Sequence, residues 1–250
     1  MKKVISYSLY GNNPKYLIGA VRNARLAQKY MPEWECRIYI GKDVPEVITH
    51  TLKLFDNVNL IYMRFEEYQI FEMTYRFLVF SDPDVDVAIV RDLDSRISAR
   101  DILAVEEWLD SGLSFHIMKD HKVGHNYLIP GCGFGARTEK VRSTKDLLIR
   151  FFQENPYHIY GADQVFLAED IYPLIKDDCF YHTPYFDCNP TGNSIQKDFP
   201  TENRYPLNHV GAALNEEDEY IYAVDIDAAI ANNGINKYEY DFDLLEKSGR

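Results

Sequence analysis

Two aspartates two residues apart, Asp92 and Asp94, follow the apolar run VDVAIV that begins at residue 85. Residues two apart in an extended chain point to the same side. Both carboxylates can therefore reach one cation, while Leu93 between them turns into the protein. Carboxylate oxygens without nearby thiolates suit Mg²⁺ or Mn²⁺ and disfavour zinc. The spacing predicts a divalent-metal site at the end of a buried strand.

Two arginines, Arg91 and Arg96, flank this acidic pair. A guanidinium does not bind a metal ion, but it offers paired donors to a carboxylate or a phosphate. One interpretation is that both arginines only neutralise the aspartates at a strand end. The other is that Arg91 is structural, whereas Arg96 contacts a phosphate of a bound nucleotide or orients an aspartate.

The elements around the acidic pair indicate where it lies. Ser98, with Asp101 three residues later, forms a capping box, so a helix is expected directly after the motif. In an open α/β sheet, ligands bind outside the carboxyl ends of the strands. A strand over residues 85–90 would place the two carboxylates at that edge.

Strands alternate with helices through the first 120 residues. This alternation predicts an α/β fold with a mostly parallel central sheet flanked by helices, in a single domain. Strands are expected at residues 4–10, 37–40, 58–63, 85–90 and 115–118, with helices opening near residues 14, 45, 71 and 98. Beyond residue 120 we expect helices at 138–153 and 163–171, then an irregular region at 183–218.

The composition argues against several classes of protein. A chain of 250 residues that is 46% hydrophobic can bury a sizeable core. Its net charge of −12 argues against binding to nucleic acid or to anionic lipid. We expect no transmembrane segment, since no apolar run approaches the ~18–20 residues that cross a bilayer. Four cysteines without a CxxC pair favour reduced thiols in a cytoplasmic protein.

The stretch RDLDSR belongs to a longer combination of motifs. It is preceded by YRFLVFSDPDVDVAIV and followed by ISARDILAVEEWLDSGLSFHIMKDH, and the chain also carries SYSLYGNNPKYLIGAVRNARLAQKYMPEWECRIYIG, IPGCGFGAR and YGADQVFLAEDIYP. Together these motifs resemble the GT-A-fold, nucleotide-sugar-dependent glycosyltransferases. More narrowly, they resemble a set from bacteria and large DNA viruses that includes enzymes building capsid glycans in chlorella viruses. Where that set commonly has Gly-Gly-Met-Trp-Gly, this chain has Gly-Cys-Gly-Phe-Gly at residues 131–135.

The resemblance implies a metal-dependent hexosyl- or deoxyhexosyltransferase. Such an enzyme moves a sugar from a nucleotide sugar to a hydroxyl of a glycan or glycoconjugate, and here a UDP-sugar is expected ahead of a GDP-sugar. Residues 1–120 would then bind the nucleotide, and residues 121–250 the donor sugar and the acceptor.

By the same similarity, Asp94 is the firmer ligand of Mn²⁺ or Mg²⁺, and Asp92 contacts the metal or the ribose. His209, in RYPLNHVGAAL, is the candidate third ligand. The alternative for His209 is an ordinary loop histidine.

Nucleotide-binding residues are also implied by the resemblance. Tyr7, Leu9 and Gly11 in SYSLYG would line the pocket for the base or the ribose. Arg76 lies where relatives carry an arginine that approaches the nucleotide, although an arginine on a helix surface is an equal alternative. Gly133, in a glycine cluster that lacks the Lys-Ser/Thr of a P-loop, would allow close backbone approach to the donor sugar.

The transfer step calls for further polar groups. If the anomeric configuration inverts, a carboxylate must accept the proton of the acceptor hydroxyl. Asp163, within Gly-x-Asp-Gln, is the preferred base, and Asp120 is assigned to hydroxyls of the donor sugar. Gln164 would hydrogen-bond a sugar hydroxyl. The structural alternatives are a helix N-cap for Asp163 and a strand-end turn residue for Asp120.

Two other functions compete with this interpretation. Some metal-dependent phosphatases use one carboxylate of an Asp-x-Asp pair as a nucleophile. Their motif normally follows the first strand and continues into Thr or Val, whereas this one is followed by Ser-Arg near residue 95. The second alternative is a non-catalytic module that binds a nucleotide or carbohydrate and whose aspartates hold a structural cation.

Overall fold

The computed structural model describes residues 1–64, 70–155 and 160–247. Within these ranges one sheet of eight strands crosses the protein. Its strands are β1 (Lys3–Leu9), β2 (Trp34–Ile40), β3 (Val58–Tyr62), β4 (Val87–Val90), β5 (Phe115–Met118), β6 (Phe134–Arg137), β7 (Cys179–His182) and β8 (Ile195–Lys197).

The strands lie in the order β3-β2-β1-β4-β6-β5-β7-β8. Strand β6 runs antiparallel to both β4 and β5, and every other pairing is parallel. The predicted fold class, α/β with a mostly parallel central sheet, is therefore confirmed.

Helices flank the sheet. They are α1 (Pro14–Tyr30), α2 (Glu46–Leu52), α3 (Ala99–Ser111), α4 (Thr144–Glu154), α5 (Ala162–Phe166), α6 (Tyr172–Ile175), α7 (Ala223–Asn233) and α8 (Asp243–Lys247). Two 3₁₀ segments lie at Glu72–Ser81 and Thr138–Val141, and a π turn at Leu167–Ile171 joins α5 to α6. No helix in the described ranges is long and apolar enough to span a membrane.

Local signals account for the helix starts near the motif. The Asn13 side chain accepts a hydrogen bond from the backbone of Lys15, and Pro14 occupies the first position of α1. The Ser98 hydroxyl likewise accepts from the N–H of Asp101 at the start of α3. The predicted cap at Ser98 is confirmed, and Asn13 caps the helix expected near residue 14.

The apolar run of β4 is continuous because both faces of the sheet are covered. Ala88 and Val90 pack into the cluster on one face, whereas Val87 and Ile89 pack into the cluster on the other. This central strand is thus anchored on both sides, and the residues that directly follow it are held in position.

The second half of the chain departs from the prediction in its details. The single helix expected at 138–153 is divided into the short 3₁₀ segment and α4. The region at 183–218 is irregular apart from β8, and β6, β7 and β8 were not predicted as strands. These strands are only three or four residues long, and unlike β4 and β5, strands β6 and β8 do not continue the alternation of strands and helices seen in the first half.

Candidate functional site

A cavity of about 320 Å³ opens where β1 and β4 end. It is lined by residues from both halves of the sequence, including Asp92, Asp94, Asp163 and His209. Ligands of α/β proteins bind at this edge, at the carboxyl ends of parallel strands. The sequence thus predicted the location of the acidic pair correctly.

The acidic pair lies in the turn that follows β4, where the N–H of Ser95 donates to the carbonyl of Asp92 (3.3 Å), so the extended chain expected at these residues is wrong. Asp92 and Asp94 both line the cavity, whereas the side chain of Leu93 packs into the core and only 3% of that residue is exposed. Each carboxylate contacts one cation: Asp92 forms an ion pair with Arg76, and Lys15 Nζ lies 2.8 Å from Asp94 Oδ2.

The charge of this pair favours a bound cation. Burial, and then the charge of Asp92, raise the pKa of Asp94, and the Lys15 ammonium opposes the shift. A carboxylate whose ionisation is disfavoured by burial and by a neighbouring negative charge is stabilised by a nearby positive charge. Oxygen donors of this kind fit Mg²⁺ or Mn²⁺, so the residues fit the predicted metal.

Arg76 is held by the first strand. Its segment, the 3₁₀ helix Glu72–Ser81, lies against β1, where the Ser6 hydroxyl donates to the carbonyl of Arg76 (2.7 Å) and the N–H of Arg76 donates to Ser8 Oγ (2.8 Å). The guanidinium then bridges two carboxylates, Asp92 and Asp163, the latter at 2.9 Å. Arg76 is 6% exposed and lines the cavity, so the helix-surface alternative is wrong.

Asp163 is the second residue of α5, whose N-cap is Gly161. The N-cap alternative for Asp163 therefore does not apply, and its carboxylate pairs with Arg76 instead. Burial raises the pKa of Asp163, while the Arg76 guanidinium acts in the opposite direction. A buried carboxylate with a raised pKa is a candidate general base.

Gln164 and Gly131 complete this wall. With its amide oriented to satisfy both groups, Gln164 donates to the carbonyl of Ile129 (2.9 Å) and accepts from the N–H of Gly131 (3.0 Å). A Cβ on Gly131 would lie 2.8 Å from Arg76 Nη2 and 2.9 Å from Asp163 Oδ2. Glycine at 131 thus leaves room for the Arg76–Asp163 pair.

The assignments made for the end of β1 are corrected by the structure. Tyr7 and Leu9 are both 0% exposed and pack into the core on the opposite face of the sheet from the cavity. Alternation along the strand brings Ser8 and Tyr10 to the cavity in their place. Gly11 lies beside the loop after β2, where its N–H donates to the carbonyl of Lys42 (2.7 Å).

Asp120 is also corrected. It is 0% exposed and accepts two hydrogen bonds from the Arg100 guanidinium (2.7 and 2.8 Å) and one from the N–H of Val210 (2.8 Å). These contacts tie the end of β5 to α3 and to the segment near His209. Asp120 is therefore a buried anchor and does not line the cavity.

Arg96 and Gly133 are structural as well. The Arg96 guanidinium is buried and donates to Asp218 Oδ1 (2.9 Å) and to backbone carbonyls. A Cβ on Gly133 would lie 2.5 Å from the carbonyl oxygen of Met118, so this glycine permits the close approach of β5 rather than of a sugar. Arg91, expected to be structural, pairs with the buried Asp101 through two hydrogen bonds (2.7 and 3.0 Å).

His209 belongs to a second polar cluster on the cavity wall. Its ring nitrogen, one nitrogen of His121 and one carboxylate oxygen of Asp225 all lie within 4.8 Å of one another. His209 Nδ1 donates to the carbonyl of Pro206 (2.8 Å), so a neutral ring carries its lone pair on Nε2. Burial lowers the pKa of His209, which favours that neutral form.

His121 has the opposite tautomer. Its Nδ1 accepts from the N–H groups of Val123 (3.1 Å) and Gly124 (2.7 Å), so its proton is on Nε2 and is donated to Asp225 Oδ1 (3.1 Å). A metal bound at that Nε2 would require the lone pair, so this cluster does not fit a metal site as arranged. Of the two rings, only that of His209 presents a free lone pair, and its role as third ligand beside Asp94 stays a prediction.

Sequence reasoning missed Lys15, Ser8, Tyr10 and Tyr16. Lys15 had a local signal, as a basic residue directly after the Asn13–Pro14 helix start, and Ser8 had one in the alternation of serines with apolar residues along β1. The ion-pair partner of Lys15 in the cavity, Asp94, is 79 residues away in the chain.

No protein-family model and no curated protein matches this sequence. Solved structures do resemble it in fold. The galactosyltransferase LgtC, solved with donor and acceptor sugar analogs, is 14% identical, with 82% of this chain and 88% of that chain covered at a TM-score of 0.49. The glycosyltransferase GlyE of Streptococcus pneumoniae TIGR4 is 14% identical, with 72% and 44% covered and a TM-score of 0.49.

A third similar structure is the mannosyltransferase PcManGT of Pyrobaculum calidifontis, solved with GDP-Man and Mn²⁺. It is 11% identical, with 80% of this chain and 56% of that chain covered and a TM-score of 0.43. All three similarities lie below a TM-score of 0.5, so the function of this chain is inferred from the residues of its own cavity.

Proposed function

We propose that this protein is a GT-A glycosyltransferase that moves a hexosyl or deoxyhexosyl group from a nucleotide sugar, with UDP as the leaving group, to a hydroxyl of a glycan or glycoconjugate. One observation carries the proposal. Arg76 forms ion pairs with Asp92, a predicted metal ligand, and with the buried Asp163, in one cavity at the carboxyl edge of the sheet.

Each group has a role in such a transfer. Asp92 and Asp94 would hold Mn²⁺ or Mg²⁺, which when bound neutralises charge on the departing nucleoside diphosphate. In an inverting transfer, Asp163 accepts the proton of the acceptor hydroxyl, and burial brings its pKa closer to neutral pH. For this step the Arg76 guanidinium must release Asp163 and contact the substrate instead. Gln164, next to Asp163 in the sequence, would orient a sugar hydroxyl.

The same contacts support the proposed division of labour along the chain. The acidic pair and Arg76 come from residues 1–120, and Asp163 and Gln164 come from residues 121–250. A cytoplasmic location is part of the proposal, since all four cysteines are free thiols.

The test is calorimetric titration of UDP into the protein with and without Mn²⁺. We expect binding that depends on Mn²⁺ and that weakens at least about tenfold in Asp94→Asn, because a carboxylate ligand is lost. Asp110→Asn, at an exposed position on α3, is the matched control and should bind normally. UDP affinity that is the same with and without Mn²⁺, and the same in the wild type and Asp94→Asn, would refute the assignment.

Substrate turnover then separates the alternatives. A panel of UDP- and GDP-sugars, screened by thermal shift with Mn²⁺, should identify a donor by the rise in melting temperature. Release of UDP from that donor with transfer to a glycan supports a transferase. Binding without any transfer or hydrolysis supports the non-catalytic module instead.

A further inference from the structure

The positive charge of Lys15 lies at the amino end of helix α1, where the helix dipole disfavours it. It lies in the first turn of α1, a turn without acidic residues. The amino end of a helix carries partial positive charge, so a cation there is unfavourable unless another group compensates. The compensation comes from Asp94, whose Oδ2 lies 2.8 Å from Lys15 Nζ, and from the ring of Tyr16 at 4.4 Å.

The two cations at the acidic pair are held differently. Arg76 contacts both Asp92 and Asp163, and its side chain is only 7% exposed. Lys15 contacts Asp94 as its one carboxylate partner among the described residues, and its side chain is 19% exposed. A flexible four-carbon stem with one carboxylate contact moves more readily than a guanidinium held by two. Lys15 is therefore the cation that can be displaced.

We infer that Lys15 is an internal counter-ion of Asp94 that a divalent cation must displace, and that it couples metal binding to diphosphate binding. The inference rests on the proposed function. Mg²⁺ and Mn²⁺ take carboxylate oxygens at about 2.0–2.1 Å. An ammonium that already holds Asp94 Oδ2 would lie against such an ion, and the two positive charges repel.

The displaced ammonium remains beside the cavity on its own stem. A metal-bound diphosphate brings negative oxygens into that cavity, and they offer Lys15 a new partner. When the metal binds alone, Lys15 loses Asp94 and gains no new partner. When the metal binds together with a diphosphate, Lys15 exchanges Asp94 for a diphosphate oxygen. Binding of each ligand therefore strengthens binding of the other, by the same factor in both directions.

The experiment measures Mn²⁺ binding directly, from the electron paramagnetic resonance signal of free Mn²⁺, with and without UDP. Lys15→Met keeps the stem and removes the charge. Without UDP it should bind Mn²⁺ about ten- to hundredfold more tightly than the wild type, the range expected for losing one charge-assisted contact. The factor by which UDP strengthens Mn²⁺ binding should fall by a similar ratio.

Three further variants make the result specific. Lys15→Arg keeps the charge and should leave Mn²⁺ binding weak without UDP. Lys29→Met removes a lysine from the last turn of the same helix and controls for net charge. Lys15→Gln replaces Lys15→Met if thermal unfolding shows that the methionine variant does not fold.

The outcomes distinguish this inference from the proposed function. If Mn²⁺ binding depends on Asp94 but Lys15→Met changes neither the affinity nor the UDP factor by more than about twofold, the inference fails and the proposed function stands. If neither the wild type nor Lys15→Met binds Mn²⁺, with or without UDP, both the inference and the proposed function fail. Equal tightening in Lys29→Met would also overturn the role of Lys15, because net charge alone would explain it.

Discussion

Asp94 and Asp120 each follow a strand at the same edge of the sheet, yet their surroundings differ. Asp120 is fully buried and accepts two hydrogen bonds from Arg100 and one from the backbone of Val210. Asp94 borders the cavity and contacts Lys15 through one oxygen. Both were candidates for chemistry, and only one is placed to meet a ligand.

The difference teaches how to tell a structural carboxylate from a functional one. A structural carboxylate has its lone pairs occupied by fixed donors, and removing it leaves a buried charge without a partner. A functional carboxylate has a partner that can leave. Four experiments test this distinction, in order of the size of the expected effect.

Removing Asp120 should unfold the protein more than removing Asp94. In Asp120→Ala the Arg100 guanidinium, 1% exposed, loses its carboxylate partner, and we expect a loss of about 3–5 kcal/mol in the free energy of unfolding. Asp94→Asn should cost under about 1 kcal/mol, because losing the Lys15 contact is offset by removing a buried charge that lies beside Asp92. Urea unfolding at pH 7 measures both, and equal costs would contradict the distinction.

Asp163→Asn should separate binding from transfer. The amide keeps the shape of the side chain but cannot accept the acceptor's proton, so we expect transfer to fall about 10²–10⁴-fold. Donor binding by calorimetry should remain, because the metal-type aspartates are untouched. A variant that transfers at the wild-type rate would place the base elsewhere.

Two glycines of one short stretch should fail in different ways. A Cβ at Gly133 meets the carbonyl of Met118 at 2.5 Å, so Gly133→Ala should lower the free energy of unfolding by about 1–3 kcal/mol. A Cβ at Gly131 meets side-chain ends rather than backbone, Arg76 Nη2 at 2.8 Å and Asp163 Oδ2 at 2.9 Å. Gly131→Ala should therefore fold well but transfer about tenfold more slowly, because small displacements of catalytic groups are costly.

If instead Gly131→Ala lowers stability as much as Gly133→Ala, the wall formed by Arg76 and Asp163 is part of the rigid core. Urea unfolding and a transfer assay on the same two preparations decide between these outcomes.

The smallest effect concerns pH. Burial, then the charges of His182 and Arg91, lower the pKa of His116 well below its ordinary value. The folded protein keeps this ring neutral, while the unfolded chain takes up a proton near pH 6.5. Stability from this group is complete above about pH 6.5 and is lost as pH falls, by up to about 1.4 kcal/mol per pH unit.

The raised pKa values of Asp94 and Asp163 act in the opposite sense in acid. Burial also lowers the pKa of His182, which shares a hydrogen bond with His116, so the comparison of variants reports on this pair of histidines. His116→Phe keeps a ring against Trp108, which stacks on it at 5.2 Å, and removes the titrating group. Its unfolding free energy should fall less steeply than that of the wild type between pH 7 and pH 5. Parallel slopes would show that His116 does not control acid stability.

Much of the fold could be predicted because its signals are local. The caps at Asn13 and Ser98 are set by a side chain and the backbone two or three residues on. The position of Asp92 and Asp94 directly after an apolar run follows from the order of residues along the chain. These features need no knowledge of distant residues, and the structure confirms each of them.

One error arose where a local contrast in the sequence was passed over. In β1 the apolar side chains of Ile5, Tyr7 and Leu9 alternate with the hydroxyls of Ser6 and Ser8. The more polar face is the one that meets the cavity, yet Tyr7 and Leu9 were chosen instead of Ser8 and Tyr10. What the sequence could not supply is the partner of that face, the 3₁₀ segment that carries Arg76.

By itself, the sequence determined the alternation of strands and helices, the helix caps, and an acidic pair at the end of a buried strand, because each depends on neighbouring residues. The tertiary structure alone decided which charges are free to act. In the fold, Asp120 pairs with Arg100 and Arg76 pairs with both Asp92 and Asp163. Lys15 pairs with Asp94. These pairings join residues 16 to 87 positions apart, and only the packed fold determines which of them meet.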